Sequence, residues 1–269
     1  MSSSTPDFTP QSAMSALADS NLEAHVEQFC TQGYTVIEGV LDKEQIEAAK
    51  AALDEIFERE REIGPERNWH NSTYKVAYML PQKHALFRSV CFSEITLELM
   101  RQLLGPRFVL GSLNGLSMTS GGEDQPLHID QQESVPSEIL TINAMHILDD
   151  FTLENGSTRV VPGSQKRVWV RGVDPAQLEA EAIRLVAPAG SLIAFNGGLW
   201  HAGSRNTTEQ PRRVLHAFFH RPWIVPQWDY TRSLSAEVVE ELTPEQKRLF
   251  GFHARPQWYD SESDRVVRG

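Results

Sequence analysis

The sequence predicts a mainly β protein with flanking helices, its core a β-sandwich of jelly-roll type. Three observations carry that expectation. Downstream of Pro106 the chain breaks into short apolar runs, RFVLGSLNGLSM, EILTINAMHILDD, TRVVPGS, RLVAPAGSLIAFNG and RVLHAFFHR, separated by Gly, Pro, Asn or Asp clusters. Upstream, apolar residues recur at helical spacing between capping signals. The 269 residues, 40% of them hydrophobic, suffice for one large domain, and no internal repeat divides them.

Residues 1–20, rich in Ser, Thr and Pro without periodicity, read as a flexible tail ahead of a single domain over 21–269. A helical layer is expected over about 21–105. It begins with a helix from Asn21 to Gln32, broken at Gly33, in which Cys30 is expected on the packed side. The β-rich run YTVIEGV follows. Asp42 as N-cap, with Gln45 three residues on and apolar Ile46, Ala49, Leu53 and Ile56, starts the clearest helix, which Gly64-Pro65 should stop. Another helix is expected from Ser93 to Gly105-Pro106. The β core should occupy about 107–222 and a C-terminal helical extension 223–269, with a helix capped by Thr243 and ended by Gly251.

The net charge of −11 gives no electrostatic attraction to nucleic acid or an anionic membrane, so a small-molecule substrate is the default. Two cysteines make no disulfide framework, and neither a signal peptide nor a long apolar span occurs, which points to a cytoplasmic protein. The Asn-x-Thr matches at Asn71 and Asn206 are then chance. Oligomeric state stays open, a homodimer being a common outcome.

In PLHIDQQ, His128 and Asp130 flank one residue, so on an extended strand both side chains project from one face and can bind one ion. His201, in FNGGLWHAGSRN just beyond the strand SLIAF, is the natural third ligand. Two imidazoles and one carboxylate form the facial triad of non-haem Fe(II) oxygenases, which leaves sites open for a co-substrate and O2. Arg212 starts the next strand eleven residues after His201, where its guanidinium can clamp the far carboxylate of a diacid. Arg213 should face the other way.

QPLHID, ENGSTRVVPGS, WHAGSRN and the PRR strand together resemble the phytanoyl-CoA dioxygenase-like family of Fe(II)- and 2-oxoglutarate-dependent oxygenases, over roughly residues 20–225. The resemblance implies a double-stranded β-helix, Fe(II) on His128, Asp130 and His201, and 2-oxoglutarate held at its C5 carboxylate by Arg212. It also implies co-substrate contacts from Gln125 and Thr158, and oxidation of a C–H bond with release of succinate and CO2. Gln165 departs from the family, whose members usually have His after PGS, and is not expected to touch iron. Relatives that halogenate replace the ligand carboxylate with Gly or Ala, so Asp130 disfavours halogenation.

Several residues have plainer readings. His146, His216 and His220 fall on expected strands, where packing is the commoner role; His25, His70, His84 and His253 read as surface residues. Asn155-Gly156 suits a tight turn. Trp200 either walls the iron site or packs. Asn71, Tyr74, Tyr78 and Met79 lie in a stretch without strong local structure that can cover a substrate, and Trp223 to Tyr230 forms an opposite rim or a dimer contact. Two other functions fit a jelly roll: a cupin-like metal hydrolase or isomerase, needing no Arg or chelating co-substrate, and a non-catalytic binding module, in which the ligands would be degraded. The main reading is a dioxygenase acting on a metabolite, tilted towards a free one in secondary metabolism, since no basic patch for a CoA phosphate stands out.

Overall fold

Helix α1 (Leu22–Gln32) begins where Asn21 Oδ1 accepts the Ala24 amide and ends at Gly33, whose φ is 84°. A Cβ at Gly33 would stand 2.4 Å from Gln165 and 2.7 Å from Leu199, so only glycine fits this close approach. These facts come from a computed structural model that describes residues 21–67, 71, 73–131, 135–167, 175–254 and 258–267. The tail expected over 1–20 and His70 lie outside the described residues.

Helix α2 (Lys43–Arg59) opens with the expected capping box between Asp42 and Gln45 and buries Ile46, Ala49, Leu53 and Ile56. It stops before Gly64-Pro65, which instead form a single 3-10 turn. The helix gives way where Glu60, 9% exposed, turns its carboxylate onto Arg67 at 2.7 Å and Lys83 at 2.8 Å. Helix α3 (Glu94–Leu104), capped by Ser93, buries Ile95, Leu99, Met100 and Leu103. Cys30 is a correction. Leu22, Val26 and Phe29 form the packed stripe of α1, and Cys30, one helical step beyond Phe29, is exposed.

The strands are β1 (Tyr34–Ile37), β2 (Tyr74–Ala77), β3 (Val109–Met118), β4 (Thr141–Ile147), β5 (Thr158–Val160), β6 (Ile183–Arg184), β7 (Leu192–Asn196), β8 (His201–Gly203) and β9 (Arg212–His220). Six form an antiparallel sheet in the order β1-β7-β4-β9-β3-β2, and three form a smaller sheet, β6-β5-β8. The expected jelly roll is present. The N-terminal segment contributes more than helices, because β1 and β2 are the two edges of the main sheet. Residues 74–77, read as lacking strong structure, form a strand by pairing with β3, from Tyr74 opposite Met118 to Ala77 opposite Gly115.

Alternation along the strands divides the core. Leu113, Ala144, Ala194, Leu215 and Phe219 point outward and pack with Leu53, Ile56 and Leu99 of the helices. Met145, Ile147, Ile193, Phe195 and Val214 point inward and meet Phe151 and Val160 of the smaller sheet. Beyond β9, short helices Tyr230–Ser233, Ala236–Glu241 and Pro244–Leu249 follow, the last with the expected Thr243 and Gln246 capping box. The expected helical extension does not run to the end: β10 (Trp258–Asp260) and β11 (Arg265–Val267) form a hairpin, favoured by aromatic and β-branched residues flanking a polar turn. Among the described residues no helix is long and apolar enough to cross a membrane.

Candidate active site

His128 and His201 face one another as a backbone-paired bridge, each amide donating to the other's carbonyl at 2.9 Å. The segment holding His128 is extended without being a continuous strand. Pro126 donates no hydrogen bond, so the segment is tied at intervals, Gln125 to Gly203 and Asp130 to Gly197, both at 2.9 Å. Gly197 and Gly198 admit this approach, since a Cβ at Gly197 would meet Thr141 at 2.0 Å and one at Gly198 would meet Gln131 at 2.7 Å.

Ligand-type atoms of His128, Asp130 and His201 all lie within 4.8 Å of one another. Asp130 Oδ1 is 3.6 Å from His128 Nε2, and Oδ2 is 3.6 Å from His201 Nε2. The other ring nitrogen of each histidine meets a main-chain carbonyl: His128 Nδ1 that of Pro126 at 3.0 Å, His201 Nδ1 that of Leu199 at 2.9 Å. A carbonyl only accepts, so Nδ1 carries the proton and each Nε2 presents a lone pair towards Asp130. Burial holds the His201 imidazole below its usual pKa against the raising effect of Asp130, which keeps the ring in its neutral form. The Asn143 amide donates to Asp130 Oδ2 at 2.7 Å and fixes the carboxylate from beneath.

Arg212 and Arg213 separate as the strand pleat requires. Arg213 points outward, with Nε 2.8 Å from Asp54 Oδ1 and Nη1 3.2 Å from Asp149 Oδ2. Arg212 points inward, is 4% exposed and lies 4.4 Å over the Phe151 ring. No carboxylate of the described residues lies within ion-pair distance of it, and its Nε lacks a hydrogen-bond partner. Burial pushes its pKa down to about 10 against the more distant charge of Asp149, still far above neutrality, so a full positive charge sits inside the roll without an ion-pair partner among the described residues. Tyr74 shares this inner face and feels the charges of both Arg212 and Asp130; burial raises its phenol to about 12, so it remains a neutral donor.

Thr158 is buried on β5 with its hydroxyl 3.9 Å from Met145 Sδ. The Gln125 amide oxygen accepts from Gly203 at 2.9 Å, which leaves its NH2 as the end that can meet a ligand. Gln165 lies against Thr31 and Gly33, at the end of α1. Gly156, with φ 86° and its Cα against the Ser204 carbonyl, makes the Asn155-Gly156 turn. Asn206 is buried with its amide spent on Met118, Gln210 and Thr208. His146 faces the helical layer, 3.2 Å from the Thr96 hydroxyl, and His220 meets the Arg221 carbonyl at 2.8 Å. His25 and His84, expected at the surface, are half-buried, bonded to Thr35 and to the Leu86 amide. His216 differs from all of these: it faces inward, opposite Asn114 and Met145. Sequence reasoning missed Asn143 as a site residue and placed Tyr74 in a substrate cover rather than on the inner face beside Arg212; the period of two along TINAMHI and YKVA, combined with the inward register, is the signal that places both.

The donor set of two nitrogens and one carboxylate suits Fe(II) with open coordination positions, and the unpaired Arg212 suits a diacid. The sequence profile of the phytanoyl-CoA dioxygenase (PhyH) family matches residues 29–214. The chain is 28% identical over 249 residues to the uncharacterised protein Rv1501 of Mycobacterium tuberculosis, covering 88% of this chain and 90% of that one. It is 28% identical over 261 residues to dioxygenase af480 of Aspergillus fumigatus, covering 91% and 82%. The fold is similar to that of HygX from Streptomyces hygroscopicus, solved with nickel, 2-oxoglutarate and hygromycin B bound, with a TM-score of 0.62, 17% identity, and coverage of 76% and 89%. The chain therefore belongs to the phytanoyl-CoA dioxygenase family and is an Fe(II)- and 2-oxoglutarate-dependent oxygenase.

Proposed function

We infer that this oxygenase oxidises a C–H bond of a small-molecule metabolite, with Fe(II) on His128, Asp130 and His201 and with 2-oxoglutarate anchored by Arg212. The observation that carries this reading is the buried, unpaired Arg212 guanidinium on the same inner face as the ligand cluster. A charge so placed costs several kcal/mol unless an anion joins it. When bound, Fe(II) and 2-oxoglutarate supply the oxidising power, O2 being consumed and succinate and CO2 released.

The chain's own residues do the rest. The Pro126 and Leu199 carbonyls hold each imidazole in the metal-binding tautomer, and Asn143 orients Asp130. Arg212 takes the distal carboxylate in a water-poor setting, with the Tyr74 hydroxyl and Thr158 as neighbouring donors and the Gln125 NH2 as a further contact. A free metabolite in secondary metabolism is the substrate class we favour: HygX binds hygromycin B alongside 2-oxoglutarate, and the net charge of −11 is poorly suited to the phosphates of a CoA ester. Both cysteines are free thiols, as in a reducing cytoplasm.

Anaerobic calorimetry tests the reading. 2-Oxoglutarate should bind the Fe(II)-loaded protein and lose at least about a hundredfold in affinity in His201→Ala or on metal removal. Equal binding with and without metal would overturn it.

A further inference from the structure

Resting on the oxygenase reading above, we propose that His216 is the hydrogen-bonding group for the primary substrate. In this assignment Asn114, Gln227, Trp228 and Tyr78 build an aromatic wall beside it, and the substrate is a neutral molecule with an apolar ring body bearing a hydroxyl or carbonyl group.

Strand β9 alternates between the two faces of the main sheet. Arg212, Val214, His216 and Phe218 share its inner face, opposite Met118, Leu116, Asn114 and Ser112 of β3. Alternate residues on a strand are about 7 Å apart, so His216 lies about 13 Å along the strand from Arg212. Asn143, which stands opposite Phe218 on β9, donates to Asp130, and the His201 ring lies 4.5 Å from that of Phe195, which stands opposite Asn143 on β7. The metal ligands therefore lie over β4 and β7 towards the Phe218 end of β9, and a co-substrate reaching from them to Arg212 leaves the β3 side of His216, where Asn114 stands, to the molecule being oxidised. His216 is not itself one of the clustered ligands.

His216 is also chemically available. His25, His84, His146 and His220 each meet a protein partner, whereas His216 is half-buried and makes no hydrogen bond among the described residues. Burial lowers its pKa to about 4, so at neutral pH the ring is uncharged and offers one donor and one acceptor. A hydroxyl or carbonyl complements that pair, and an anion does not.

The wall is fixed by Asn114. Its Oδ1 accepts from Trp228 Nε1 at 3.0 Å and its Nδ2 donates to Gln227 Oε1 at 3.1 Å, pinning the segment after β9 over β3 at the residue opposite His216. The Trp228 ring lies 5.0 Å from that of Tyr78, joining this segment to the one after β2. On the same segment Trp223 and Val225 are 65% and 86% exposed, an apolar rim. Such surfaces bind flat apolar bodies. Thus the two stretches read separately in the sequence as a cover and an opposite rim meet at one wall.

The test uses the anaerobic Fe(II)- and 2-oxoglutarate-loaded enzyme and two isosteric probes, 2-naphthol and 2-methylnaphthalene, with binding followed by tryptophan fluorescence and by perturbation of the charge-transfer absorbance. Wild type should bind 2-naphthol about tenfold more tightly than 2-methylnaphthalene, the scale of one hydrogen bond. His216→Leu should abolish the preference without weakening 2-methylnaphthalene, His216→Gln should keep part of it, and Trp228→Ala should weaken both probes. A wild-type enzyme with no preference, or a preference surviving in His216→Leu, overturns the proposal. The charge-transfer band before any probe is added separates the two levels: a band in wild type and His216→Leu leaves the oxygenase reading intact whatever the probes do, and its absence from wild type overturns both.

Discussion

The two faces of the main sheet carry the same residue types with opposite fates. On the outer face Arg213 is paired with Asp54 and Asp149, and His146 meets Thr96 beneath α3. On the inner face, one residue away on β9, Arg212 has no ion-pair partner and His216, opposite Met145 beside His146 on β4, has no hydrogen bond among the described residues. The Arg213 charge is paired because it holds the helical layer on, and His146 keeps one ring nitrogen on Thr96 while its Nδ1 has no partner among the described residues. The inner groups are left for ligands. For the two arginines, pairing of the charge rather than its burial separates structure from chemistry.

The comparison breaks most visibly at the arginines. Arg212→Ala should cost roughly 2–5 kcal/mol of 2-oxoglutarate binding, seen as a KM raised about thirtyfold or more, with little loss of fold. At Asn143, Asn143→Leu removes the amide under Asp130 and should weaken Fe(II) about tenfold to a hundredfold in equilibrium titration, leaving Arg212 function intact. A Fe(II) affinity unchanged in that variant would remove Asn143 from the site.

The outer face predicts effects on stability alone. His146 has its folded pKa lowered to about 4 by burial, from 6.5 when unfolded. Between these values the unfolded chain binds the extra proton, so this stabilisation is complete above about pH 6.5 and is lost as pH falls towards 4. One pKa unit is about 1.4 kcal/mol, so a few kcal/mol is the upper scale. Denaturant midpoints at pH 7 and pH 5 should therefore differ more in wild type than in His146→Gln; equal differences would contradict the buried neutral state. The smallest effect belongs to Arg213→Ala, about 1 kcal/mol of stability for a partly exposed ion pair, with no change in 2-oxoglutarate KM.

The candidate site was legible because spacing and chemistry agree: His128 and Asp130 one residue apart, His201 after an apolar strand, Arg212 opening the next. Parity also assigned Arg212 over Arg213. It could have been carried further, since His216 lies four residues on from Arg212 and must share its face. His146 could not be sorted this way, because its face follows from the register of β4 against β9, a long-range property. Tyr74, read as part of a cover, could not be placed on the inner face because β2 exists only through its pairing with β3. Cys30 was misplaced by one helical step, and the C-terminal hairpin was read as helix through the capping signals just before it.

The most direct measurement is the visible charge-transfer absorbance of the Fe(II) and 2-oxoglutarate chelate, titrated anaerobically in wild type, Arg212→Ala and Arg213→Ala. The account predicts a band that saturates alike in wild type and Arg213→Ala and needs far more 2-oxoglutarate in Arg212→Ala. No band in iron-loaded wild type, or equal titrations for the two arginine variants, would contradict it.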